Sequence, residues 1–338
     1  MTTSEPGTAG NGRMSLEKIN DDVKFYPHQL TGVRTLARRR SFLLADEMGG
    51  GKAQPVGTPV ATPDGWRPIG ALAAGDMVCR PSGGTQRVLE VHPQGKIAVA
   101  RVSFADGTST LASWEHLWTV GGVAGGWRTM TTRTLHTGGL GASEGNPLWE
   151  VPLLRPLSAH GEGLGPPGLD PFTVGFAMCN GILLGSSRAS TTSLPIADGR
   201  YEAAKMLKVP GTRLRYGDRV TIEDDPSSPG SVAAFLKALK SVGVTQRVGS
   251  RQFPEEIRFA PAAERMRFLL GALAACSQLT PRTQHRFGMK LGPSMAMDVI
   301  HGLVELVQLL GGLAMADHTT KWISVWWPTP LRMWSGTT

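Results

Sequence analysis

The sequence predicts a multidomain protein made of a short α/β segment, an all-β domain and an α+β domain. Three changes of pattern predict it. An amphipathic stretch and an apolar run end in the glycine-rich turn "ADEMGGGK", closing at Lys52. From Ala53, short alternating strands are separated by Pro-Asp-Gly, Ala-Gly-Asp and Ala-Asp-Gly turns, the pattern of a β-rich domain. From about residue 166, helices of small and apolar residues alternate with basic strands. The expected boundaries are a frayed tail at 1–14, the α/β segment at 15–52, the all-β domain at 53–157, a Gly/Pro-rich linker at 158–169, the α+β domain at 170–330 and a tail at 331–338.

Composition narrows the class. The 338 residues are 41% hydrophobic, enough for real cores. The longest apolar run, "FLLGALAAC" at 268–276, falls far short of the roughly 20 residues a membrane helix needs. The first residues, "MTTSEPGTAGNGRM", carry no apolar signal core. Cys79, Cys179 and Cys276 are widely spaced, with no metal-ligand cluster, which argues against zinc and suits a reducing cytoplasm. The net charge of +8 lies mainly in residues 166–338, which hold 19 basic and 13 acidic groups. Such an excess fits either double-stranded DNA as a partner or an ordinary basic surface.

In the first segment, "YPHQLTGVRTLARRR" places Leu30, Val33 and Leu36 at helical spacing, and "SFLLAD" is a short strand feeding the Gly-rich turn. The strict phosphate-loop pattern fails at Asp46, and Ala53 stands where the magnesium-binding Ser or Thr belongs. "YPHQLTGVRTL" followed by "LLADEMGGGK" resembles the opening of Swi/Snf-like superfamily-two helicases. The resemblance implies that Gln29 contacts the adenine of ATP, and that Gly49, Gly50, Gly51 and Lys52 begin the phosphate cradle. No phosphate-loop helix is predicted after Lys52, so the ATP site is incomplete in this chain.

The β-rich segment interrupts that loop, and its "AQPVGTPVATPDGW", "GDMV" and "SWEHLWTV" resemble the first blocks of an intein, the self-splicing Hint fold. Cleaving the Lys52–Ala53 peptide requires a nucleophile, a proton donor for the departing amide nitrogen and donors for the oxyanion. The resemblance makes His116 that donor and Ser113 a hydrogen-bonding partner of the scissile peptide. From the residues alone, a β-core histidine and a turn serine are the favoured reading, and the resemblance reverses that preference. Ala53 has no heteroatom with which to attack. Either an ordinary intein has lost its first nucleophile, or this is the class that begins without one, in which a downstream cysteine attacks the junction. That class carries a Trp two positions after the block histidine, and Trp118 stands there, which favours the second account. No cysteine follows Cys276, and "WWPTPLRMWSGTT" contains no His-Asn pair. The expectation is an N-terminal fragment, from a frameshift or a split gene, that does not splice alone and has a separate C-terminal intein/helicase piece as partner. Splicing itself calls for no cofactor, and ATP belongs to the spliced helicase.

Two further segments look alike. "DPFTVGFAMCNG" and "AERMRFLLGALAACS" each present a helix of small residues followed by strands. They resemble the paired helices of a LAGLIDADG homing endonuclease, whose two acidic residues hold Mg2+ at the scissile phosphates. Aligning Gly175 and Gly271 puts Asn180 and Cys276 at those acid positions. Neither residue supplies a carboxylate, which implies poor metal binding and little or no cleavage. "GTRLRYGDRVTI" and "RTQHRFGMKLG" are expected strands that offer Arg213, Arg215, Arg219, Arg282, Arg286 and Lys290 to DNA phosphates. Arg251 stands where the family carries a basic residue, and "DVIHGLVELVQLLGGLA" is an amphipathic helix ended by Gly311 and Gly312. Two other functions stay open at this level: a nuclease still active with Asn180 and Cys276, and a non-catalytic DNA-binding protein.

Overall fold

The computed structural model describes residues 54–327, apart from 105–108, 123–125, 139–140, 144–145, 148, 154, 158–160, 162, 165–167, 181–188, 197–200, 277 and 284–285. Gln29, Gly49, Gly50, Gly51, Lys52 and Ala53 lie outside the described residues. The described residues form helices mixed with small antiparallel sheets, and among them no sheet closes into a barrel. They divide into two compact units. One holds Glu90–Arg101 and Leu111–Glu150; the other holds Pro55–Leu89, Val102–Thr110 and everything from Val151.

Short hairpins come first among the described residues. β1 (Pro59–Thr62) pairs with β2 (Gly65–Pro68) across the Pro-Asp-Gly turn, and β3 (Met77–Cys79) with β4 (Thr85–Arg87). β5 (Val99–Ser103) pairs with β6 (Ser109–Ser113). In the first unit, β7 (Leu117–Gly122) is the central strand between β8 (Trp127–Thr131) and the later β11. Within the stretch expected to be all-β, β8 runs directly into helix α1 (Thr132–Thr137). Thr131 caps it, its hydroxyl accepting from the Thr134 amide at 3.0 Å, and this local bond overrides the strand preference of a threonine-rich sequence. β9 (Gly141–Ser143), β10 (Asn146–Pro147) and β11 (Trp149–Glu150) complete the segment.

The second unit is built around two helices. α2 (Pro171–Cys179) starts with Asp170 capping the Thr173 amide at 3.0 Å and a proline at its first turn, and every residue from Phe172 to Cys179 is buried. After α2 come β12 (Thr191–Pro195), α3 (Tyr201–Ala204), β13 (Thr212–Tyr216), β14 (Arg219–Asp224), α4 (Ser231–Ser241) and α5 (Glu255–Arg258). Then α6 (Ala262–Ala275) begins the second half, continuing with β15 (Gln278–Thr283), β16 (Arg286–Lys290), α7 (Met297–Leu309), β17 (Leu313–Asp317) and β18 (Trp322–Trp326). The strand order is β12-β14-β13 in one sheet and β15-β16-β18-β17 in the other.

α2 and α6 cross at glycine. A Cβ on Gly175 would lie 2.0 Å from the Phe268 carbonyl oxygen, and one on Gly271 would lie 2.0 Å from that of Phe172. The two backbones therefore touch, an approach that any side chain at either glycine would prevent. Each sheet turns its apolar face inward to the same core, with Leu194, Val220 and Ile222 from one and Phe287, Met289, Ile323 and Val325 from the other. α7 is the predicted amphipathic helix, and Gly311 follows it with a φ of 88°. Residues of β1–β3 belong to this unit too. Ala61 and Cys79 pack on Leu157, Phe259 and Leu309, and the Trp66 ring meets Phe259 edge-on at 5.7 Å.

Candidate functional site

Two sites are distinct enough to take separately. The first lies in the unit containing β7. Ser113, Trp114, Glu115 and His116 form the turn into that strand, closed by the His116 amide donating to the Ser113 carbonyl at 3.1 Å. Trp118 lies two residues along, so its indole stands on the same side of the chain as the imidazole, edge-on with ring centres 4.7 Å apart. Trp118 Nε1 donates to Thr132 Oγ1 at 2.9 Å, and the Thr132 amide donates to the His116 carbonyl at 2.9 Å. Trp118 thus ties the histidine turn to the start of α1. Ser113 is buried, and its Oγ has no hydrogen-bond partner among the described residues. The three residues singled out by sequence therefore lie together, with the Trp118 indole against the His116 imidazole.

The second site is the pair of helix ends. α2 terminates at Asn180 and α6 at Cys276, the positions expected for acids. Asn180 is buried; its Nδ2 donates to the Pro195 carbonyl at 2.8 Å, leaving the buried Oδ1 without a hydrogen-bond partner among the described residues. Cys276 is fully buried, and its thiol donates to the Leu273 carbonyl at 3.0 Å. Cys179 is buried beside it, and burial pushes its thiol far above the ordinary range.

A guanidinium occupies the end of α2. Arg251 is 1% exposed and donates through Nη1 to the carbonyls of Met178 (2.8 Å) and Asn180 (2.6 Å), and through Nε to that of Thr245 (2.9 Å). Burial lowers its pKa from the ordinary arginine value, yet an arginine stays charged, and here the cation meets the negative end of a helix. Sequence reasoning marked Arg251 as basic but not as the anchor of the helix end. Arg265 went unnoticed altogether. It is fully buried and donates to the carbonyls of Leu309 (3.0 Å) and Leu157. A charged residue inside an amphipathic segment carries no sequence signal of burial.

Magnesium needs several hard, preferably anionic, oxygen ligands. The helix ends offer one neutral amide oxygen, one protonated thiol and a permanent cation nearby, so these residues do not fit the ion. Among the described residues, no group of three or more His, Cys, Asp or Glu side chains gathers to hold a metal.

The strand arginines reach one surface in part. Arg213, Arg215 and Arg219 share the solvent face of the three-stranded sheet, opposite buried Val220 and Ile222. There Arg213 pairs with Asp225 at 3.0 Å, Arg215 with Glu223 at 2.9 Å, and Arg219 Nε donates to Ser193 Oγ at 3.0 Å. Arg282, Arg286 and Lys290 belong to the other sheet, on β15 and β16. Asp225 is held down to about 2, first by the Ser227 hydroxyl and amide and then by Arg213. No protein-family model matches the chain, and no curated protein matches it. No described helix is long and apolar enough to cross a membrane.

Proposed function

We propose that this chain carries an intein splicing domain set into the phosphate loop of a Swi/Snf-like helicase, and with it a degenerate LAGLIDADG endonuclease that holds double-stranded DNA without cutting it. The observation that carries this reading is the crossing of α2 and α6 at Gly175 and Gly271, with Asn180 and Cys276 at matched ends of the two helices. Two close-packed helices, each leading into an antiparallel sheet, are the arrangement the resemblance implies. The replacement of both acids, with Arg251 anchored at one helix end, accounts for a nuclease scaffold without nuclease chemistry.

The splicing half rests on the Ser113, His116 and Trp118 cluster. Breaking the Lys52–Ala53 bond transfers the Lys52 acyl carbon to an attacking thiol or hydroxyl and leaves the Ala53 nitrogen in need of a proton. His116 is the donor, Trp118 positions its ring, and the Ser113 hydroxyl, with no hydrogen-bond partner among the described residues, is available to the scissile peptide. Ala53 cannot attack, so the purified chain is expected to retain its intact mass. Spontaneous release of residues 1–52, seen by mass spectrometry, would contradict this.

The DNA half is tested with a pool of random-sequence duplexes incubated with the full chain in Mg2+ or Mn2+. Salt-dependent retention of DNA without a defined break is the expected result. Cleavage at one sequence would establish an active nuclease instead, and retention of no duplex at all would remove the DNA partner.

A further inference from the structure

The hairpins β1–β2 and β3–β4 have little core of their own. Val60, Leu72 and Val78 are buried together, with Ile69 and Val88 packed against them. Two-stranded hairpins with so few buried groups are marginal in water, so residues 59–87 need support from elsewhere. Trp66, on β2, reaches it. Its Nε1 donates to Glu305 Oε1 on α7 at 2.6 Å, and its ring meets Phe259 just beyond α5. Glu305 is fixed in turn, because Arg258 of α5 pairs with its Oε2 at 3.0 Å. A second tie runs through the backbone. The Arg155 amide donates to the Pro81 carbonyl at 2.9 Å, and the Leu157 amide to that of Leu309 at 2.9 Å. Buried Arg265 holds the carbonyls of both Leu157 and Leu309.

The residues held in this way are, by the resemblance, the first two splicing blocks. Pro55–Leu89 belongs to the same compact unit as α2 and α6, whereas Ser113, His116 and Trp118 belong to the other. Backbone bonds carry the tie toward the junction: the Ile69 amide donates to the Thr58 carbonyl at 2.8 Å, and the Gly70 amide to that of Val56 at 2.9 Å. Three residues of chain, roughly 11 Å at full extension, link Val56 to Ala53. Whatever fixes β1–β2 therefore limits where the Lys52–Ala53 peptide can lie.

We propose that the unit built on α2 and α6 carries the splice junction, with Trp66, Glu305 and Arg258 as positioning residues that hold β1–β2 on α7 and, through Val56, the approach to Lys52–Ala53. The consequence at the junction rests on the splicing reading, while the docking of the hairpin does not. Such a role needs no metal, so the loss of both acids leaves it untouched. A self-contained splicing domain would behave differently, keeping β1–β2 in one cooperative unit with β7 and β8.

The test is amide hydrogen exchange on the full chain, read by mass spectrometry over residues 59–68 and 117–131. Trp66→Ala is expected to speed exchange in 59–68 about tenfold and Glu305→Ala about threefold, with 117–131 unchanged. Glu305→Gln keeps the acceptor for the indole and is expected to recover most of the loss, which general damage to α7 would not allow. Gly175→Leu strikes the helix crossing and is expected to loosen 59–68 but not 117–131. Exchange in 59–68 that is unaltered by both alanine variants, or that follows 117–131, overturns the proposal and leaves the splicing reading standing. The junction is read separately in the Ala53→Cys chain with an added thiol. There the introduced sulfur attacks the Lys52 carbonyl, the C–N bond breaks, the thiol proton reaches the freed nitrogen through His116, and the added thiol carries off the acyl group of residues 1–52. Release slowed by Glu305→Ala and restored by Glu305→Gln is the expected result; release indifferent to both overturns the positioning role. No release from a chain whose hairpin is docked removes the splicing reading alone.

Discussion

The two helix-and-sheet halves of the second unit agree inside and disagree outside. Inside, each contributes one helix whose glycine meets the other's backbone, and each sheet feeds the same core. Outside, one sheet carries Arg213, Arg215 and Arg219, paired with Asp225, Glu223 and Ser193, and the other carries Trp322 and Trp326. The helix ends differ as well: Asn180 is held by a buried arginine, and Cys276 bonds within its own last turn. Backbone contact at the crossing leaves no freedom for side chains, whereas solvent faces answer to whatever they bind. The two halves are alike where packing demands it and differ on their solvent faces.

The crossing gives the largest expected effect. Gly175→Leu and Gly271→Leu each drive a side chain into a carbonyl, and each is expected to destabilise the unit by about 3 kcal/mol or more, measured by thermal melting. Equal losses support a symmetric crossing; tolerance at one glycine would break the comparison. Next comes the anchor. Arg251→Met removes the donor from the Met178, Asn180 and Thr245 carbonyls, for an expected loss of about 3 kcal/mol in denaturant titration. The half built on α6 has its own buried arginine, so Arg265→Met is expected to cost a similar amount; a neutral result at either would show that the two are not equivalent supports.

Smaller effects sit on the surface. Arg213→Ala and Arg215→Ala are each expected to lower the salt dependence of duplex binding by about one phosphate contact. Their ion pairs with Asp225 and Glu223 would compete with DNA phosphates, so several-fold losses in affinity are the expected scale. Least of all is an acid effect. Asp225 has a folded pKa below that of an unfolded carboxylate, so its contribution is complete above about pH 4 and is lost as pH falls through about 2. A carboxyl titration by NMR would show it, and a midpoint at the ordinary aspartate value would dissolve the Arg213 and Ser227 interactions.

Much of this is legible in the sequence. Gly175 and Gly271 stand in short runs of small and apolar residues, and alternation in "TRLRY" and "RFGMK" marked β13 and β16, because two-residue and helical periods survive in one dimension. The Ser113, His116 and Trp118 cluster was also visible, since a tight turn and one strand step bring all three together. Arg251 and Arg265 were not legible as buried groups, because charge predicts exposure and the carbonyls they serve come from up to about a hundred residues away. The outward indoles of β18 were missed for a different reason. "WISVWW" is apolar but for Ser324, and no period distinguishes Trp322 and Trp326, which are half-buried, from Trp327, which is buried.

The most direct measurement of the proposal that α2 and α6 form a LAGLIDADG-like helix pair unable to hold a metal is Mn2+ binding followed by electron paramagnetic resonance on the full chain. With Asn180 and Cys276 in place the free-ion signal is expected to stay undiminished, and Asn180→Asp combined with Cys276→Asp is expected to capture the ion. Stoichiometric Mn2+ uptake by the unaltered chain, or none by the double variant while it remains folded, would contradict the account.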